Sequence, residues 1–349
     1  MKKDLYIGSY TKDTDRGIYL VEADTETGEL ALKEAFGGAV NPSWVLLSKD
    51  NRTLYCVEEL TPGGMAACFD TVSGLSFQSR LSTEGDDPCH LSFDSTGQYL
   101  FAANYTSGSL AVFRLAKDGA LLEMTDFIRH EGHGTDPDRQ ASAHIHFTKF
   151  VGGKLYCCDL GEDTVYCYDF DPACGKLTQN ALTFRVPDGY GPRHLTAADS
   201  HPDMIYVLCE MAAKLLAFRL TDGQYRLVSE LDTIPAGVDR SLLKVGSKGS
   251  FGAAIRFTED GKYILTSTRG YNSIAAFKVS EDGLPRLTGM APSLGCTPRD
   301  FNMLGDFVIC ANQDENLVTV LSFDAESGTL TGTGQSLEIP SPTCICISG

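Results

Sequence analysis

Seven copies of one β-rich unit, arranged so that the last copy runs into the first, leave this chain few folds to choose from. Each unit opens on a small residue, usually followed by proline. An apolar run, a Gly- or Asp-containing turn, a second β-rich run and a third run ending in an aromatic come next. The pattern reads NPSWVLLSKDNRTLYCVEE from Asn41, DPCHLSFDSTGQYLFAANYTSGSLAVF from Asp87, GPRHLTAADSHPDMIYVLCE from Gly191 and TPRDFNMLGDFVICANQDENLVTVLSF from Thr297. Pro42, Pro88, Pro192, Pro298 and Pro342 are separated by 46, 104, 106 and 44 residues, and each wide gap holds a variant without the proline. These variants are SAHIHFTKFVGGKLYCCDLGEDTVYCYDF from Ser142 and FGAAIRFTEDGKYILTSTRGYNSIAAFKV from Phe251. The stretch from Pro342 to the C-terminus, continued from Met1 to Pro42, is one more period.

A repeat of this length marks stacked or radially arranged units. The count and the wrap-around predict an all-β fold, a seven-bladed β-propeller of four-stranded antiparallel blades that spans 1–349 as a single domain. PTCICIS supplies the first strand of the closing blade, DLYIGSY the second and GIYLVEA the third, so both termini build it. The chain is long for one ordinary core, but no linker or low-complexity stretch interrupts the period, and no segment of useful length carries helical periodicity.

Charge and cysteine content narrow the partners. A formal net charge of -17 disfavours nucleic acid, which needs a basic footprint, and an anionic membrane surface. It also makes any cluster of arginines notable, because an anionic substrate would be repelled unless a cleft reverses the field locally. MKKDLYIGSY turns polar too soon for a signal peptide, and no segment is long and apolar enough to span a bilayer, so a cytoplasmic location is expected. Most of the 12 cysteines fall inside predicted strands with no zinc-ligand spacing, which reads as reduced core thiols.

In an antiparallel hairpin the start of the first strand and the end of the second lie at the same face. First-strand starts give His90, His144, His146, Arg193, His194, Arg299 and Asp300; second-strand ends give Glu58, Glu59, Asn104, Tyr105, Asp159, Glu210, Arg269 and Asn312. One mouth of the channel should therefore carry imidazole, guanidinium and carboxylate, while the other carries turns such as SKDNRT, DSTGQ and TEDGK. Singly, each residue has a bland role as a structural hydrogen-bonding group, an ion pair or a turn. Convergence in one concavity is what points to a ligand or an active site. His130 and His133 in RHEGHGTDPDRQ, with Asp136 and Asp138, read as a long polar loop in preference to a metal site. Trp44 reads as packed within a blade.

With these motifs in order, the chain resembles the seven-bladed lactonase family, which includes the propeller-type 6-phosphogluconolactonase and the fungal carboxymuconate-lactonising enzyme. The likeness rests on YIGSYT, HLSFDSTGQYLFAANYTSGSLAVF, the HIH segment, GPRHL, YVLCE, STRGYNSIAAF, and PRDFN followed by ANQDENLVTV, and covers essentially the whole chain. It implies a catalytic set of His146, Arg193, Glu210 and Arg269. Substrate contacts are expected from His90, His144, His194, Arg299 and Asn312, and the substrate is an anionic small-molecule lactone, with no metal and no cofactor. Ala254 stands where relatives often carry Glu, and STRG replaces SNRG. His146 is expected to act as general base on water, with Glu210 orienting either His146 or an arginine. Three alternatives stay open: a muconate-type cycloisomerase using the same residues, a metal-dependent lactonase with Asp159, Glu58 and Asn312 as ligands, and a non-enzymatic interaction platform.

Overall fold

The structure is a computed structural model that describes residues 1–11, 14–243 and 251–349. Seven sheets follow one another along the chain, and consecutive strands within each are antiparallel neighbours. Blade 1 starts at Val45–Leu47, blade 2 at Pro88–Phe93, blade 3 at Ile145–Val151, blade 4 at Pro192–Thr196, blade 5 at Phe251–Phe257 and blade 6 at Pro298–Leu304. Blade 7 begins with Pro342–Ile347 from the C-terminus and continues with Lys2–Ser9, Ile18–Asp24 and Leu30–Phe36. Leu5 faces Ile347 and Gly8 faces Cys344, so the ring is closed by backbone hydrogen bonds between the two ends of the chain. Among the described residues the one departure from four strands is blade 3, where the short strand Phe184–Arg185 adds to Thr164–Asp171.

Burial follows from this arrangement. Each sheet presents apolar side chains on both faces, and a separate hydrophobic cluster fills each gap between consecutive blades. Leu5, Ile7 and Val21 meet Ile309, Val318 and Val320 between blades 7 and 6, while Ile18 and Cys344 meet Leu54 and Phe69 between blades 7 and 1. All twelve cysteines are free thiols, and Cys56, Cys157, Cys158, Cys209, Cys310 and Cys344 are buried in these layers.

The recurrent opening motif has a local cause. The residue before each blade-opening proline sits at positive φ, at Asn41, Asp87, Gly191, Thr297 and Ser341, and then hands the chain to an extended residue that needs no N–H. The next residue is a bulge. Register shifts between Pro88 and His90, Ile145 and Phe147, Pro192 and His194, and Pro298 and Asp300, leaving Cys89, His146, Arg193 and Arg299 as the extra residues. A bulge breaks the strict in-out alternation of a strand. In blades 2 to 4 two successive side chains consequently reach the axis, stacking the channel wall in levels. The upper level holds Ser43, Cys89, His146, Arg193, Arg299 and Thr343, and the next holds Trp44, His90, Phe147 and His194. A lower level holds Leu46, Ser92, Lys149, Thr196, Arg256 and Asn302.

Candidate active site

At the upper mouth lies a cavity of about 270 Å³ lined by Tyr10, Glu59, Cys89, Tyr105, Arg139, His146, Glu210, Arg269 and Arg299. Below it the channel narrows to a neck of about 10 Å³ bordered by Arg193, His146, Arg299, Trp44 and His194. Blade geometry thus brings His146, Glu210 and Arg269 into one pit and Arg193 to the neck directly beneath it, each from a bulge or a strand end.

Glu210 is its electrostatic centre. Its carboxylate is 4% exposed at residue level and is held by three guanidinium groups. Arg269 Nη2 donates to Oε2 at 2.6 Å, Arg139 Nη2 donates to Oε1 at 2.5 Å, and Arg193 Nε lies 2.9 Å from Oε2. Burial alone would raise the Glu210 carboxyl, but Arg269, Arg139 and Arg193 hold it well below the usual carboxylate range. Arg193 also donates to Ala253 O at 2.6 Å and to His194 Nε2 at 3.1 Å, and Arg269 donates to Gly252 O at 3.2 Å. Gly252, Ala253 and Ala254 follow Phe251 at the start of blade 5, and the carbonyls of the first two accept from the arginines. Arg299 lies over the Tyr10 ring at 5.5 Å, and Tyr10 donates to Glu59 at 2.7 Å. Four arginines therefore face two carboxylates, an excess of positive charge in a protein whose total is -17. Burial, followed by repulsion from Arg269, depresses the Arg193 guanidinium, a penalty that a bound anion would relieve.

His146 is different in kind. Its ring is buried, Nδ1 has no hydrogen-bond partner, and no described residue is bonded to either ring nitrogen. Burial, reinforced by Arg193, keeps it neutral well below the usual histidine range, against a smaller opposing pull from Glu210. Its neighbours are Tyr105, edge-on at 5.6 Å, and His194 at 5.4 Å. Glu210 does not orient this ring; its bonds all go to arginines.

The expected substrate-contact residues separate. Arg299 lines the pit. His194 lies one level lower at the neck, and His90 lines the lower cavity, not the pit, because the bulge puts both one step further down the channel. His144 is stacked on Tyr105 at 4.5 Å and bonded to its carbonyl at 2.9 Å, which makes it a prop for Tyr105. Asn312 is corrected most clearly: it is fully buried, and its amide donates to Thr319 Oγ1 and Ser293 O between strands, away from the pit. Glu58 binds Arg80 and the Val40 N–H, and Asp159 accepts the N–H groups of His144, Gly161 and Glu162. Both are structural.

Arg139, like Tyr10, is a pit residue missed in the sequence. It leaves the 130–143 loop to touch Tyr105 Oη at 3.3 Å, Glu210 and the face of Phe251. The loop is pinned by Gln140, which accepts from Thr135 and Asp136 N–H and donates to Leu160 O. His130, Asp159 and Glu162 come within metal-binding distance of one another. However, His130 is bonded through Nδ1 to Asp159 and through Nε2 to Tyr168, both at 2.6 Å, so neither nitrogen is left for an ion. His133 is exposed and contacts only Gly134 O.

The family model for the seven-bladed β-propeller lactonases matches residues 4–347. The chain belongs to this lactonase family. Among its relatives, a 6-phosphogluconolactonase of Bacillus subtilis is 32% identical over 352 residues, covering 97% of each chain. A 6-phosphogluconolactonase of Formosa agariphila is 29% identical over 351 residues and covers 96% of each. The solved structure of a periplasmic gluconolactonase from Pseudomonas aeruginosa superposes with a TM-score of 0.90 at 28% identity, over 100% of this chain and 99% of that one. No helix among the described residues of this lactonase is long and apolar enough to cross a membrane.

Proposed function

We propose that this lactonase hydrolyses an anionic sugar lactone, 6-phosphoglucono-1,5-lactone, in the pit around His146. The observation that carries the reading is a neutral, unpartnered imidazole beside an over-supplied guanidinium cluster. Water held against His146 loses a proton to the imidazole as it attacks the lactone carbonyl carbon. Negative charge then develops on the carbonyl oxygen, where Arg193, next to His146 around the ring, stabilises it. Collapse breaks the bond from that carbon to the ring oxygen, and imidazolium returns the proton to that oxygen. The phosphate is held by Arg269 and Arg299, guanidinium being suited to fork-shaped recognition of oxyanions. Glu210 keeps the arginines charged and aimed, and carries no proton in the cycle. The bacterial relatives named for this activity support the substrate, and the free buried thiols fit the reducing cytoplasm.

A lactone panel tests this. The expected result is turnover of 6-phosphogluconolactone above its spontaneous hydrolysis, slower turnover of unphosphorylated gluconolactone, and no lactonisation of carboxymuconate. The base must be unprotonated, so kcat/KM should be flat through neutral pH and fall only below pH 6.5, where a His146 pKa lowered by burial lies. No acceleration on any lactone, or lactone formation from carboxymuconate, would overturn the proposal.

A further inference from the structure

Below the neck the channel opens again into a second cavity of about 430 Å³ at the opposite mouth, which hydrolysis in the upper pit leaves unused. Lys149, three residues beyond His146 on the same strand, reaches this cavity. Among the described residues nothing offers its ammonium a hydrogen bond or an ion pair, and burial followed by Arg256 lowers its pKa. Arg256 does not share that condition, because its guanidinium is bonded to both Asp300 oxygens, at 2.9 and 3.1 Å, and to Phe301 O. Lys149 is therefore the cation of this cavity without an ion-pair partner among the described residues.

The roof adds two donors whose identity follows from hydrogen-bond logic. His90 Nδ1 accepts the Thr148 N–H at 3.3 Å, so the neutral ring carries its proton on Nε2. His194 Nε2 accepts from Arg193 at 3.1 Å; arginine can only donate, so the proton is on Nδ1. Both rings are kept neutral by burial, helped by Arg256 at His90 and by Arg193 at His194. No described group accepts from either N–H. The rest of the wall is mixed: Leu46, Phe93, Phe147, Ile255 and Phe257 form an apolar stretch, and Ser92, Thr148, Thr196 and Asn302 add hydroxyl and amide groups. The cavity thus combines one unpaired cation and two spare N–H donors with an apolar stretch of wall. Water in the open cavity satisfies these donors until a ligand with acceptors takes them together.

We propose that this lower cavity is a binding site for a small organic monocarboxylate with an apolar body, its carboxylate on Lys149 and the imidazole N–H groups. A phosphate dianion would bring two charges to one ammonium and leave Leu46, Phe93, Ile255 and Phe257 uncovered.

Trp44 is the only tryptophan of the chain, lies 4.2 Å from His90 ring to ring, and borders this cavity, so its fluorescence reports occupancy. Benzoate titrated at low ionic strength should give a saturable change, at least tenfold tighter than benzyl alcohol or inorganic phosphate. Lys149→Met should weaken benzoate at least tenfold while lactonase turnover is kept, Lys149→Arg should restore most of the affinity, and Arg269→Ala in the upper pit should leave it unchanged. Equal binding of benzoate and benzyl alcohol to the parent protein, a comparison that needs no variant, would overturn the site. So would phosphate binding as tightly as benzoate, or benzoate affinity that follows Arg269 and ignores Lys149.

Discussion

Replacing His146 with alanine is expected to lower kcat for 6-phosphogluconolactone by about 10²–10⁴-fold, the usual worth of a positioned general base, with KM and stability little changed. The separation of rate from stability is specific to this residue. No partner is orphaned when the ring goes, because no hydrogen bond holds it, and the anion-binding arginines remain in place. Arg193→Ala differs: it removes a donor to Ala253 O and His194 and a counter-charge to Glu210, so both rate and stability should fall. Steady-state kinetics with thermal unfolding on both variants make the check. Near-normal turnover in both would show that the chemistry is elsewhere.

Glu210→Gln carries the largest expected cost to stability. The substitution keeps shape and removes charge, leaving Arg139, Arg193 and Arg269 facing one another across a buried centre. Removing one partner of a buried ion pair costs about 3–5 kcal/mol, and with three cations on one carboxylate the upper end of that range is expected. The pH dependence has a definite sign. The folded pKa of Glu210 is depressed, so its contribution is present above the unfolded value and lost as pH falls through the folded one. Urea unfolding at neutral pH should show the loss, and 6-phosphogluconate should stabilise the parent by occupying the cluster. An unchanged midpoint would mean that the arginines do not depend on Glu210.

The ring was legible because its cause is local. A left-handed residue, a proline and a turn recur in nearly every blade, and the wrap-around at Pro342 appears as a missing period. The upper pit was legible for the same reason, since Arg193 and Arg299 occupy the same bulge position of their repeats, and Glu210 and Arg269 close second strands. Applied to the closing blade, that strand-end rule also reaches Tyr10, just beyond Lys2–Ser9. What sequence could not show is which way neighbouring residues point around a bulge. His90 and His194 were expected at the mouth, but the extra residue above each moves His194 to the neck and His90 to the lower cavity. Asn312 illustrates a second limit: a polar strand end can equally well satisfy its neighbours' backbone, and here Ser293 O and Thr319 take the amide. Arg139 lies in the loop outside the repeat, where position is set by Gln140 and by Glu210 in another blade; its only signal was a cation just before the HIH segment.

A crystal structure with 6-phosphogluconate bound tests the central claim most directly. The account predicts the ligand in the upper pit, its phosphate on Arg269 and Arg299 and its carboxylate within hydrogen-bond reach of Arg193 and His146. A ligand seated elsewhere, or in the pit with His146 turned away from the carboxylate, would contradict it.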